Sequence, residues 1–162
     1  MTKQLLNEIA NEALEFVFTR RSLELSTVNT AGEPLASYAP FYRDNSGVFY
    51  IFVSTLSTHT ANLANGLASI LIVEDEQDSR QIYARVRLCF KCNTERVLPE
   101  IGEFREVLGK LKDKHGDVID TLSSLSDFRL YKLNPLSGRY VKGFGQAYEI
   151  NPELTRVIPI DR

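Results

Sequence analysis

Arg85 and Arg87 are the pair in this chain whose type and spacing could most directly grip a ligand. They lie in the run Arg80–Thr94 (RQIYARVRLCFKCNT), which alternates apolar and polar residues. Ile82, Ala84, Val86, Leu88, Phe90 and Cys92 make one apolar face, and Tyr83, Arg85, Arg87, Cys89 and Lys91 make the other. Read as one strand, the pattern turns the first face to a core and the second outward. Side chains at i and i+2 of a strand stand roughly 7 Å apart, a spacing at which two guanidinium groups can hold phosphate or carboxylate groups. Such a face can also be a solvated edge whose charges deter strand pairing. Tyr83 and Cys89 beside the arginines favour a half-buried ligand or dimer surface.

The other candidates are few. Of two histidines, His115 (LKDKHGD) falls at a helix end, where a cation complements the dipole, and reads as structural. His59 (STLSTHTANL) follows a strand and opens a short helix, a junction whose hydroxyls and free amides suit anions. There it could ligate a metal, hydrogen-bond a ligand or cap the turn. Asp127 (SSLSDFRLYKL) precedes a strand and can cap a turn with its neighbouring serines. Glu74, Asp75, Glu76 and Asp78 form an acidic run without the alternating ligands and central glycine of a calcium loop. Cys89 and Cys92 are three apart, so a strand points them to opposite faces and argues against a disulfide. No nucleophile elbow, phosphate-binding Gly-Lys loop, dinucleotide fingerprint or HExxH is present, which leaves hydrolase and kinase chemistry without residues to carry it.

The segment Gly138–Tyr148 (GRYVKGFGQAY) sets three glycines among three aromatics and two cations. Glycine within a strand marks a bulge or a close approach, here by a flat ligand, a partner subunit or the chain's own backbone.

The elements that must position these residues follow from periodicity and turn chemistry. Leu5, Leu6, Ile9, Ala13, Phe16 and Val17 predict a helix over 2–20 that Thr2 can cap. Strands are predicted at Ser22–Thr30, Pro34–Tyr42, Val48–Val53, Ala68–Glu74 and Arg80–Thr94, with Asn29–Pro34 and Arg43–Gly47 as hairpin loops. A short helix spans Ser57–Asn65, opened by Ser57 or Thr58. A helical insertion covers 99–124, with Pro99 in its first turn and a break at Gly116. Two last strands, Phe128–Asn134 and Arg139–Tyr148, flank a turn at Asn134–Gly138. At 162 residues and 43% hydrophobic content, the chain reads as a single domain over 1–162, mainly β with helices, a small antiparallel barrel with helical trimmings. A net charge of −2 gives no reason to expect nucleic acid. The polar N-terminus is not a signal peptide, and no apolar run approaches a membrane span, so a cytoplasmic setting is the expectation.

The ordered segments NTAGEPLASYAPF, VSTLSTHTANL, SRQIYARVRLCF, LSDFRLYKLNP and GRYVKGFGQAY resemble the haem-utilisation branch of the FMN-binding split barrels, relatives of pyridoxamine 5′-phosphate oxidase. The resemblance runs from about Leu14 to Ile150, and ARVRL and VKGFGQAY are its most specific pieces. It implies a six-stranded antiparallel split β-barrel and a homodimer with two sites at its interface. Lys142 and Phe144 then become residues of the intersubunit cleft.

Two chemistries compete within that superfamily. Flavin members hold the FMN phosphate with bases on the second strand and a Ser-Arg-Lys cluster after the third. Here Ala36–Phe41 offers neither base, and the cluster becomes Ser57, Thr58 and His59. Gln81 does match the glutamine that flavin members keep before the long strand. A phosphate without its paired cations loses much of its charge-assisted binding, so weak or no FMN affinity is expected. In haem members, Arg87 with Arg85 beside it matches the arginine region, where these side chains would hold propionates or steer oxygen. Asp127 matches the acid that hydrogen-bonds the iron's axial histidine. That histidine follows the GFGQAY segment in the family, and no histidine follows His115 here, so that either His59 or another group ligates haem differently, or haem binding is weak, or this member does something else. The resemblance thus implies binding of haem or a related tetrapyrrole, with oxidative degradation that releases iron. The alternatives are an FMN-dependent oxidoreductase and a non-enzymatic tetrapyrrole-binding or regulatory dimer.

Overall fold

The computed structural model describes residues 1–160. Helix α1 (Lys3–Phe18) is capped by Thr2, whose hydroxyl accepts the Leu5 amide at 3.3 Å. Ile9, Ala13 and Val17 fall at four-residue intervals and, with Ala10, bury one stripe of this helix.

Among the described residues nine strands follow, all paired antiparallel in one sheet: β1 (Ser22–Val28), β2 (Pro34–Pro40), β3 (Tyr42–Arg43), β4 (Phe49–Ser54), β5 (Leu67–Val73), β6 (Arg87–Val97), β7 (Phe128–Gly143), β8 (Gln146–Ile150) and β9 (Val157–Pro159). Their order is β2-β1-β5-β6-β7-β4-β3, with β8 on β7 and β9 on β8. The sheet has nine strands where six were expected, and it is not closed: the path ends at β2 and β3. Strand β7 is the hinge of the architecture. Its first half pairs with β4, its second half with β8, and β6 runs along its other edge.

Helix α2 (Thr58–Leu63) links β4 to β5, and α3 (Gly102–His115) and α4 (Val118–Ser123) separate β6 from β7. Two cores result. Leu23, Leu25, Phe41, Phe49, Ile51, Ile70, Leu88, Phe90 and Tyr140 fill the barrel beneath α1. On the other face of β4, Tyr50 and Phe52 pack against Val107, Leu111 and Ile119 of the helical insertion. Strand β4 is therefore buried on both faces, which is why FYIFV reads as an unbroken apolar run.

Four expectations are corrected. The run Arg80–Thr94 is not one strand, because Ile82–Ala84 form a 3₁₀ turn and β6 begins at Arg87. Gln81 closes that turn, its side chain accepting the Tyr83 amide and its carbonyl the Ala84 amide, so Ile82 leaves the apolar face and is exposed. The turn expected at Asn134–Gly138 is absent. Strand β7 runs through it, with Pro135 opposite Cys92, Ser137 opposite Lys91 and Leu136 as the extra residue of a bulge. Proline lacks a ladder donor and is tolerated at such a bulge. The chain reverses instead at Phe144–Gly145, where Gly145 has φ +68°, so Gly138–Tyr148 is a hairpin and not a strand. Pro99 also lies before α3, whose N-cap is Ile101.

Candidate functional site

The outward face of the sheet carries the first half of the candidate site. Cross-strand register places Tyr38, Glu24, Leu71, Cys89, Arg139 and Glu149 in one row from β2 to β8. Beside it, Val73, Arg87, Val141 and Ala147 make a second row. At the start of β6 these rows line a groove of about 590 Å³, walled by Leu71, Tyr83, Val141 and Phe144, with Arg87 and Arg139 as its cations. Tyr83 is 84% and Phe144 65% exposed, so two aromatic rings stand at its rim without cover. Cys89 faces this groove while Cys92 is buried in the barrel, and burial pushes the Cys92 thiol up to about 12.

Arg87 and Arg85 are not equivalent. The Arg87 Nη1 donates to the Arg85 carbonyl at 3.0 Å, which braces the guanidinium and leaves its other donors available. Arg85 precedes the strand. Its guanidinium donates to the Glu74 carbonyl and pairs with Glu76 at 3.5 Å, so it closes the connection from β5 and does not stand beside Arg87 as a second arm. Part of the acidic run is thus used internally, since Asp75 also pairs with Arg20 at 3.0 Å. Gln81 is exposed and occupied by its own 3₁₀ turn.

The second half lies where β4 runs into α2. Ser57 is the N-cap residue of α2, and His59 sits in its first turn, 8% exposed. The His59 Nδ1 is 3.0 Å from the Ser37 hydroxyl, while Nε2 is buried without a partner. Burial lowers the pKa of His59, which keeps the ring neutral. Ser37, Ser54, Ser57, Thr58 and His59 line a groove of about 620 Å³ that has no lysine or arginine in its wall. At its edge the Ser54 hydroxyl donates to the Asp127 carboxylate, and the Asp127 carbonyl accepts the Thr55 amide at 2.8 Å.

The site residues expected from the sequence therefore fall into two groups. Arg87 belongs to one groove; Ser57 and His59 line the other, which Asp127 reaches only through its bond to Ser54. Lys142 belongs to neither, because its ammonium turns to α1 and pairs with Glu12 at 2.5 Å. The His59 Nε2, the ring nitrogen left for an iron, is enclosed in this structure. Sequence reasoning passed over Arg139 as a groove residue and Ser54 as the partner of Asp127. The bulge at Leu136 sets the register that brings Arg139 opposite Cys89, and 73 residues separate Ser54 from Asp127, so neither relationship has a local signal.

Comparison with known proteins fits this arrangement. The family model described as pyridoxamine 5′-phosphate oxidase matches residues 9–142. The chain is 37% identical over 150 residues to "Heme oxygenase HutZ" of Vibrio cholerae, covering 92% of this chain and 85% of that one. The crystal structure of HutZ, there called a haem storage protein, superposes with a TM-score of 0.79 at 33% identity, over 83% of this chain and 96% of that one. Campylobacter jejuni ChuZ superposes with a TM-score of 0.84 at 32% identity, over 94% of this chain and 62% of that one. The open nine-stranded sheet is accordingly a split barrel of this type, and the chain belongs to the pyridoxamine 5′-phosphate oxidase family, in its haem-utilisation branch.

Proposed function

We propose that this protein binds haem between two copies of itself and degrades it oxidatively, releasing iron. The observation that carries the reading is the Arg87 groove: apolar and aromatic walls with two guanidinium groups match a flat apolar macrocycle bearing carboxylates. The relatives named above, a haem oxygenase and a haem storage protein, support it. When bound, haem supplies a redox-active iron whose reaction with dioxygen can be turned on the ring itself.

The chain's own residues orient and enclose. Arg87, held by the Arg85 carbonyl, grips a propionate or directs a hydrogen bond into the pocket. Tyr83 and Phe144 cover the ring and exclude water. Asp127, fixed by Ser54, presents a carboxylate that can hold a proton-donating partner in a set orientation. Arg87 lines one groove and Asp127 is bonded to Ser54 of the other, and the row Tyr38, Glu24 and Leu71 lies on the outward face, so in this reading the partner subunit completes each site.

The FMN alternative does not fit the residues present. The groove beside Ser57 and Thr58 has no cation in its wall, and His59 is neutral, so a phosphate dianion finds no opposite charge there. No step through FMN is assigned. Among the described residues no helix is long and apolar enough to cross a membrane.

Absorbance titration with haem, on wild type and Arg87→Ala, tests the assignment. The variant is expected to bind more weakly with an altered spectrum. Identical spectra and affinities would remove Arg87 from the site.

A further inference from the structure

We propose a second ligand site, remote from the Arg87 groove, that takes a small monocarboxylate with an apolar tail. It is the cleft of about 290 Å³ between the end of α1, β3 and the last turns of α3. Val17, Phe18, Phe41 and Tyr42 wall it, and it shares no lining residue with either groove of the haem site. Phe18 is 69% exposed at the cleft, an aromatic surface with nothing of its own chain upon it.

The rim is cationic. Arg43, Lys110 and Lys114 line the cleft, with Asp113 as the one acid in its lining. Among the described residues none of these three cations has a carboxylate within ion-pair distance, although seven such pairs form elsewhere. The Lys114 ammonium sits 3.8 Å above the centre of the Phe41 ring, a placement that substitutes a π face for a counter-ion. Burial, helped by Arg21, lowers the Lys114 pKa to about 8, as expected of an ammonium that lacks an opposite charge. The neighbouring His115 Nε2–H donates to the Phe41 carbonyl at 3.0 Å, which pins the end of α3 to Phe41 and fixes Lys114 over the ring. The carbonyl end of α3 contributes a partial negative charge of about half a unit. The Arg43 guanidinium is tied to the Pro152 carbonyl at 2.9 Å, so Lys110 and Lys114 are the cations that face the cleft against Asp113.

The volume is at the lower end for ligand pockets, so the ligand is small. The walls select an apolar tail, and the rim selects one anionic head group that Lys114 can pair with.

Titration of the full-length protein with octanoate, followed by amide and methyl NMR shifts, tests the site, with octanol as the uncharged control. Saturable shifts are expected at the end of α1, at Phe41–Arg43 and at Lys110–Lys114, with octanol at least tenfold weaker. Lys114→Met should weaken octanoate at least tenfold, and Lys114→Arg should keep it. Shifts centred on the Arg87 groove, unsaturable shifts, or equal octanoate affinity in Lys114→Met would overturn the proposal. Haem titration of Lys114→Met runs in parallel and is expected to match wild type, so failure of the haem reading and failure of this one are separate results.

Discussion

Arg87 lines the groove between Tyr83 and Phe144 at the start of β6, whereas Asp127 lies outside the sheet in the turn before β7, bonded to Ser54 of the groove beside His59. In the proposed haem site, Arg87 comes from one chain and Asp127 from its partner. In the proposed dimer the outward row Tyr38, Glu24 and Leu71 faces its copy across the two-fold. Light scattering is expected to give a dimer, and Leu71→Arg a monomer with lost haem affinity. Mixing Arg87→Ala with Asp127→Asn subunits should restore one intact site per mixed dimer. No activity at all in that mixture would show that each chain uses its own pair.

Arg87→Ala should weaken haem binding roughly ten- to hundred-fold, the effect of losing a hydrogen bond to a charged group. Arg85→Ala should act differently. Arg85 ties the β5 connection to Glu74 and Glu76, so its loss should lower the unfolding temperature more than it lowers haem affinity. Paired thermal melts and haem titrations of the two variants distinguish these outcomes.

Gly138 marks a close approach by the chain's own core. A Cβ there would stand 2.3 Å from the Phe90 ring and 2.9 Å from Ile150. Gly138→Ala should destabilise the protein by about 1–3 kcal/mol through overpacking, read by urea unfolding. Adding Phe90→Leu should recover part of that loss.

How much of this was legible in the sequence differs by element. Helix α1 and its Thr2 cap followed from four-residue spacing, and the strand-to-helix placement of His59 followed from its hydroxyl-rich flanks. The start of β6 did not, because Ile82 and Ala84 continue an alternation by composition while Gln81 folds them into a 3₁₀ turn. The turn at Phe144–Gly145 was hidden by the same ambiguity: Pro135 looks like a stronger breaker, and only the bulge at Leu136 lets a strand pass it. For the site, Arg87 and Asp127 were legible as types in context. Their separation into two grooves depends on sheet register, which one sequence does not display.

The two histidines predict acid sensitivity. Burial lowers the pKa of His59, and burial also dominates the lowering at His115, against the bond to the Phe41 carbonyl that raises it. The unfolded chain therefore binds protons that the folded one refuses just below the ordinary value of 6.5. Stability should be level above that pH and fall as pH drops through it. Urea unfolding from pH 7.5 to 5.5 is expected to show this decline, and His59→Gln with His115→Gln should flatten it. An unchanged slope in the double variant would place the sensitivity elsewhere.

Haem binding at a site built from two subunits is tested by absorbance titration of the purified protein with micromolar haem, read beside its mass by light scattering. A saturating spectral shift at one haem per subunit of a dimer is expected. A protein that purifies with a yellow flavin spectrum, or a titration without saturation, would contradict it.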